Sequence, residues 1–148
     1  MSTAMTQHEK ETFLAAVHVG VLSIPRKGRA PLTVPVWYGY EAGEEIWFVT
    51  GRNSNKGQLL TLGCSVSLCV QDEQPPYKYV TVEGTVSAIQ PSEVERDVRP
   101  LAHRYLGRER GDHFIATTGG AEAREENILV CVHPQRWLAV DYAKELQI

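Results

Sequence analysis

A chain of 148 residues suits one domain, 1–148, long enough to bury a core without disulfide or metal staples. Hydrophobic residues at 43% and charged residues at 22% mark a globule rather than a disordered segment, and a net charge of −3 excludes a broad nucleic-acid-binding surface. Any anion site must therefore be local. No apolar run approaches the length of a membrane-crossing helix, and Met1 to Glu9 contain no signal-peptide core. The expectation is a cytoplasmic location, with neither membrane nor nucleic acid as partner.

Several chemistries lack their residues. Cys64, Cys69 and Cys131 are odd in number and form no C-x-x-C, so a reduced structural role is expected. The five histidines, 8, 18, 103, 113 and 133, show no zinc-ligand spacing, and no metal site is expected. There is no G-x-S-x-G elbow, no Walker loop and no G-x-G-x-x-G after a strand.

Thr6 to Ala16 opens with Thr6 and Glu9 in a capping-box spacing and predicts a short helix with Phe13, Leu14 and Val17 on its apolar side. Strand one is expected at His18–Ile24. Arg26 to Arg29 reads as a hairpin tip, either a solvated turn or a cationic loop over a ligand. Strand two runs from Pro31 to Tyr40, with Pro35 marking an edge, bulge or bend because proline cannot donate to a ladder.

Ile46 to Thr50 is β-branched and aromatic and predicts strand three, which runs straight into a helix over Ser54–Leu62. Ser54 suits the N-cap and Gly63 the stop. The intervening turn carries Thr50, Gly51, Arg52, Ser54 and Lys56. Two cations and two hydroxyls beside the positive end of a helix dipole make a phosphate seat one reading, solvated charges on a plain turn the other.

Strand four, Cys64–Gln71, alternates apolar and polar side chains. After a loop at Asp72–Pro76, strand five runs from Tyr77 to Ile89, and Gly84 predicts a bulge where the sheet bends. The face bearing Tyr77, Tyr79, Thr81, Glu83 and Thr85 suits a subunit contact better than water. Ser92 and Glu95 repeat the capping-box spacing. The spacing of Val94, Val98, Leu101 and Tyr105 then predicts an amphipathic helix, kinked at Pro100 and ending near Gly107. Arg108–Glu126 is polar and glycine-bearing and reads as a loop able to cover a site. Strands six and seven are expected at Asn127–His133 and Gln135–Tyr142, joined at Pro134. Short antiparallel strands at hairpin spacing point to a small, mainly β barrel.

Five segments carry a resemblance: Gly28–Tyr38, Phe48–Leu60, Tyr79–Gly84, Arg104–Gly107 and Pro134–Trp137. In this order and spacing they resemble the pyridoxamine 5'-phosphate oxidase-like, flavin-binding split-barrel superfamily, nearest its branch of flavin- and deazaflavin-dependent oxidoreductases. The resemblance implies a homodimer of six-stranded antiparallel split β-barrels of Greek-key type, with peripheral helices and cofactor clefts between the subunits. It implies a cofactor phosphate on the segment after strand three, at Thr50, Gly51, Arg52, Ser54, Asn55 and Lys56, and a ring system along Val34, Pro35, Val36 and Trp37. Where the family's oxidases have Ser-Arg-Lys this chain has Ser54-Asn55-Lys56, and Tyr79 stands where a cofactor-contacting glutamine is usual. Trp137 is expected either to approach the cofactor across the interface or to pack in the core. The oxidase's substrate-binding arginine and histidine have no counterpart.

The resemblance thus implies an oxidoreductase that passes hydride between F-420 or FMN and a small conjugated organic substrate. The alternatives are an FMN-dependent oxidase and a non-catalytic cofactor-binding protein. In such a class the cofactor supplies the redox chemistry, so the catalytic residues are unknown. Tyr38, Tyr77 and Tyr79 are the candidate proton donors. Arg26, Lys27 and Arg29 are candidates for the anionic tail of F-420.

Overall fold

The period-two alternation read along strand four sets the pattern for the sheet. In the computed structural model, which describes residues 2–118 and 126–146, Val66, Leu68 and Val70 point inward while Ser65, Ser67 and Cys69 point outward. The strands are β1 (Gly20–Arg26), β2 (Arg29–Val36), β3 (Ile46–Gly51), β4 (Ser65–Asp72), β5 (Lys78–Pro91) and β6 (Asn127–Asp141). All pairs are antiparallel, in the order β2-β1-β4-β5-β6-β3. Strands β4, β5 and β6 form a meander and β3 returns beside β6, which is a Greek-key arrangement. Leu22 and Ile24 of β1, Phe48 of β3, Val82 of β5 and Val130 of β6 share one buried cluster. The two ends of the sheet therefore curl round a common core, giving the mainly β, six-stranded half-barrel expected. Beyond β2 the backbones of Gly39 and Trp47 exchange two hydrogen bonds, at 2.8 and 3.0 Å, tying the chain after β2 to β3.

The helices lie outside the sheet. Among the described residues they are α1 (Gln7–Ala15), α2 (Asn55–Leu59), α3 (Arg99–Leu106), α4 (Arg108–Thr118) and α5 (Tyr142–Leu146), and a π-helical turn at Val94–Val98 precedes α3. Thr6 caps α1 through the capping box read from the sequence. Lys144 of α5 reaches Glu9 at 2.7 Å, and this hydrogen bond holds the Glu9 carboxyl down at about 2.

Several expectations need correction. β6 is one strand of fifteen residues, not two. Pro134 does not break it because it faces Gly84 at the β5 bulge, where the register shifts and no ladder N–H is required. Gly84 itself fits the bulge read from the sequence, since a Cβ there would strike the His133 carbonyl. Strand two ends at Val36 rather than Tyr40, and α2 ends at Leu59, short of Leu62. The second capping box is absent: the Glu93 N–H donates instead to Asp97 (2.9 Å), whose buried carboxylate also accepts two hydrogen bonds from Arg96, both 2.8 Å. That local cage holds the π turn. Pro100 lies in the first turn of α3 directly after the π turn, so the irregularity expected at this proline takes the form of a π turn leading into the helix. Arg108–Thr118 is helix, not loop; the rest of that expected loop, up to residue 125, lies outside the described residues.

Candidate functional site

The Pro35–Trp37 segment at the end of β2 and the β3–α2 turn, 15 to 19 residues apart in sequence, meet at a cleft of about 440 Å3. Pro35, Val36 and Trp37 form one wall and Val49 the floor; Lys56 enters from α2 and Asn127 from the first residue of β6. The opposite wall comes from the π turn and the two helices after it, through Val98, Leu101, Phe114 and Thr118. This volume falls in the range of small-molecule sites. Trp37 stacks on Tyr105 with ring centroids 4.9 Å apart and planes 5° from parallel, and Phe114 tilts against it at 5.8 Å. Tyr105 is fixed in turn: its hydroxyl donates to the His18 carbonyl (2.6 Å) and accepts from the Tyr38 N–H (3.1 Å). Among the described residues the result is a flat aromatic wall with few polar groups and one ammonium. Among the described residues Lys56 makes no ion pair.

In the β3–α2 turn Ser54 caps α2, as expected from the sequence. The Ser54 hydroxyl donates to the Gly51 carbonyl (2.7 Å), accepts from the Gly57 N–H (3.0 Å) and meets the buried Thr50 hydroxyl (3.1 Å). Both hydroxyls are spent on capping the turn. With only five residues, α2 also has little dipole to offer. Any anion here is held by charge, from Lys56 and from Arg52. Arg52 is exposed and pairs loosely with Glu126 at 3.7 Å.

The cleft thus brings together Pro35, Val36, Trp37 and Lys56. Val34 packs toward the core, Asn55 is exposed, and Gly51 and Arg52 border the turn. Tyr79 lies on the outer face of β5 between Gln71 and Val140, and Trp137 packs edge-on to Tyr40 (6.2 Å), both away from this cleft in the protomer. Tyr38 is fully buried and donates to the Leu14 carbonyl at 2.6 Å. Burial, and then the neighbouring Tyr105, push its phenol far above the usual tyrosine range, which removes it as a proton donor to a cleft ligand. The Arg26–Arg29 hairpin lies at the other end of β2, roughly 23 Å from Val36 at the strand rise.

Val49, Val98, Leu101, Phe114, Thr118 and Asn127 are cleft residues that the sequence reading does not name. The amphipathic spacing of Val98 and Leu101 was the one available signal, and it speaks equally for core packing. Among the described residues no group of His, Cys, Asp and Glu stands close enough to hold a metal ion, and no helix is long and apolar enough to cross a membrane.

A family model described as pyridoxamine 5'-phosphate oxidase matches residues 6–141. Among curated protein sequences no match is found. A conserved hypothetical protein from Mycobacterium tuberculosis superposes with a TM-score of 0.77 at 21% identity, covering 99% of this chain and 91% of that one. A protein described as an F420 reductase gives 0.67 at 21% identity, with 86% and 94% covered. An FAD binding protein from Mycobacterium smegmatis gives 0.59 at 13% identity, with 91% and 95% covered. At these identities the shared property is the fold.

Proposed function

The chain belongs to the pyridoxamine 5'-phosphate oxidase family, and from that premise and the cleft we propose that it is an oxidoreductase using FMN or the deazaflavin F-420 on a small conjugated organic substrate. The observation that carries this reading is the junction of a flat aromatic wall, Trp37 on Tyr105, with Lys56, the one cation among the described residues lining a 440 Å3 cleft. A tricyclic ring suits such a wall, and a phosphate suits the ammonium and the nearby Arg52. The fit is good at both ends: Pro35 and Val36 offer apolar contact along the ring, while Thr118 and Asn127 supply the few polar groups that fix orientation.

A bound flavin or deazaflavin supplies hydride transfer. The residues of the cleft then bind, orient and exclude water. Pro35, Val36, Val49, Leu101 and Phe114 keep the ring's surroundings dry, and Lys56 anchors the tail. Titration of the protein with FMN and with F-420, followed by the change in the visible band, should give saturable binding of at least one. Hydride transfer from that reduced cofactor to a conjugated acceptor should follow. No binding of either at micromolar concentrations would sink the reading.

The same reading includes a homodimer through the outer sheet face. Strand registers place Pro35, Val21, Cys69, Thr81 and Leu138 in one row across five strands, starting at the cleft wall. The row is uncharged, Val21 and Leu138 are exposed, and exposed Val19 lies beside Val21 and Cys69. A second copy laid on this row would bury it and abut the cleft. Thr81→Arg, mid-row, is expected to leave a folded monomer by light scattering; a dimer that persists unchanged would contradict this face.

A further inference from the structure

Helix α4 hands Phe114 and Thr118 to the cleft and packs chiefly on α3. Ile115 is buried and Phe114 packs on Trp37, and two further contacts join α4 to α3. Gly111 is buried so closely on α3 that a Cβ would lie 2.8 Å from the His103 ring and 2.9 Å from the Ala102 carbonyl carbon. One turn-face over, Asp112 Oδ1 meets Arg99 Nη1 and His103 Nε2, each at 2.6 Å. Arg99 also donates to Glu95 at 2.9 and 3.0 Å. Between the helices Gly107 adopts φ 83°, a conformation that side-chain-bearing residues rarely take, and is the one-residue link joining them.

Four charged or titratable groups therefore face the α3–α4 contact: Glu95 from the π turn, Arg99 and His103 from α3, and Asp112 from α4. With His103 neutral they sum to −1; with His103 protonated they balance. The Asp112 carboxyl is held below the usual aspartate range by His103 first and Arg99 second, as expected of a carboxylate gripped by both. A charged imidazole donates a stronger hydrogen bond to a carboxylate than a neutral one.

We propose that α4 is a hinged wall of the cleft, latched by Asp112 on Arg99 and His103, and that protonation of His103 tightens the latch and slows exchange of the bound cofactor. This rests on the reading that the cleft holds FMN or F-420. The sign follows from the charges: a protonated His103 grips Asp112 more tightly than a neutral one, so the tight state belongs to the lower pH. All four groups are partly exposed, so the effect is modest.

Hydrogen exchange of the α4 amides, corrected for intrinsic rates, tests this at pH 5.5 and 8.0. The natural protein should show roughly three- to fivefold greater protection at the lower pH, and His103→Gln should show less than about a twofold difference. Asp112→Asn, which keeps the shape and removes the charge, should flatten the profile in the same way. FMN serves as the probe for exchange, its release slowing by the same factor at pH 5.5. Equal pH dependence in the natural protein and both variants would overturn the latch. If FMN and F-420 fail to bind while the amides respond, the latch stands and the cofactor reading falls; if FMN binds but neither amides nor release depend on His103, the latch falls alone.

Discussion

Replacing Arg52 and Lys56 together by alanine is expected to weaken FMN or F-420 binding by roughly a hundredfold while leaving the thermal midpoint nearly unchanged. A hydrogen bond to a charged group contributes about 1.5–3 kcal/mol, and about 1.4 kcal/mol is tenfold in affinity. Most of the loss should come from Lys56, which lines the cleft, and less from Arg52, whose side chain is 51% exposed at the rim. Stability should barely move, because the Arg52–Glu126 pair is long and solvated on both sides. Ser54→Ala is not an equivalent test. Its hydroxyl is committed to Gly51 and Gly57, so its loss removes a helix cap, about 1 kcal/mol of stability, whatever binds nearby. Titration of the two single variants and the double variant, with salt varied, separates the contributions. A double variant within threefold of the natural affinity would displace the phosphate from this turn.

What the sequence made legible follows from how local its causes are. The inward run of Val66, Leu68 and Val70 could be read because period two in a half-buried strand is a property of the segment itself. Thr6 with Glu9, Gly84 at the bulge and Gly107 after α3 are equally local signals. Pro134 misled because its tolerance in β6 depends on Gly84, fifty residues earlier and directly opposite. Helix α4 was hidden for a related reason. Its polar, glycine-bearing sequence looks like a loop, and the contacts that favour a helix, Gly111 on Ala102 and Asp112 on Arg99 and His103, exist only once α3 is in place. The same division runs through the cleft. Pro35, Val36, Trp37 and Lys56 were indicated by their own segments and by the resemblance, whereas Phe114, Thr118 and Asn127 join the site only through the fold. Hydroxyls at Thr50 and Ser54 suggested ligand contacts, but a hydroxyl beside an unpaired N–H and carbonyl satisfies those first.

Gly57→Ala sets two physical effects of opposite sign against each other. Alanine is the better helix former, by about 1 kcal/mol per residue, so propensity alone predicts a more stable α2. The structure predicts the reverse. Gly57 is buried where α2 folds back on the turn, and a Cβ there would collide with the Gly51 carbonyl oxygen and come within 2.6 Å of the Arg52 carbonyl oxygen and 2.8 Å of its carbon. These obstacles are backbone, held by the Ser54 hydroxyl and by the Arg52 N–H to the Glu126 carbonyl at 2.8 Å. They cannot step aside as the end of a side chain can, and such overpacking costs about 1–3 kcal/mol or more. Sterics should win, with a net loss of about 2 kcal/mol and a fall in the thermal midpoint of about 4–8 °C for a domain of this size. Because α2 must lift off the turn to make room, Lys56 moves with it, and cofactor affinity should fall at least as far as in Lys56→Ala. Calorimetry and the same titration check both halves. A Gly57→Ala protein as stable as the natural one, with its affinity intact, would mean that α2 is not packed on the turn and that Lys56 is not fixed at the cleft by it.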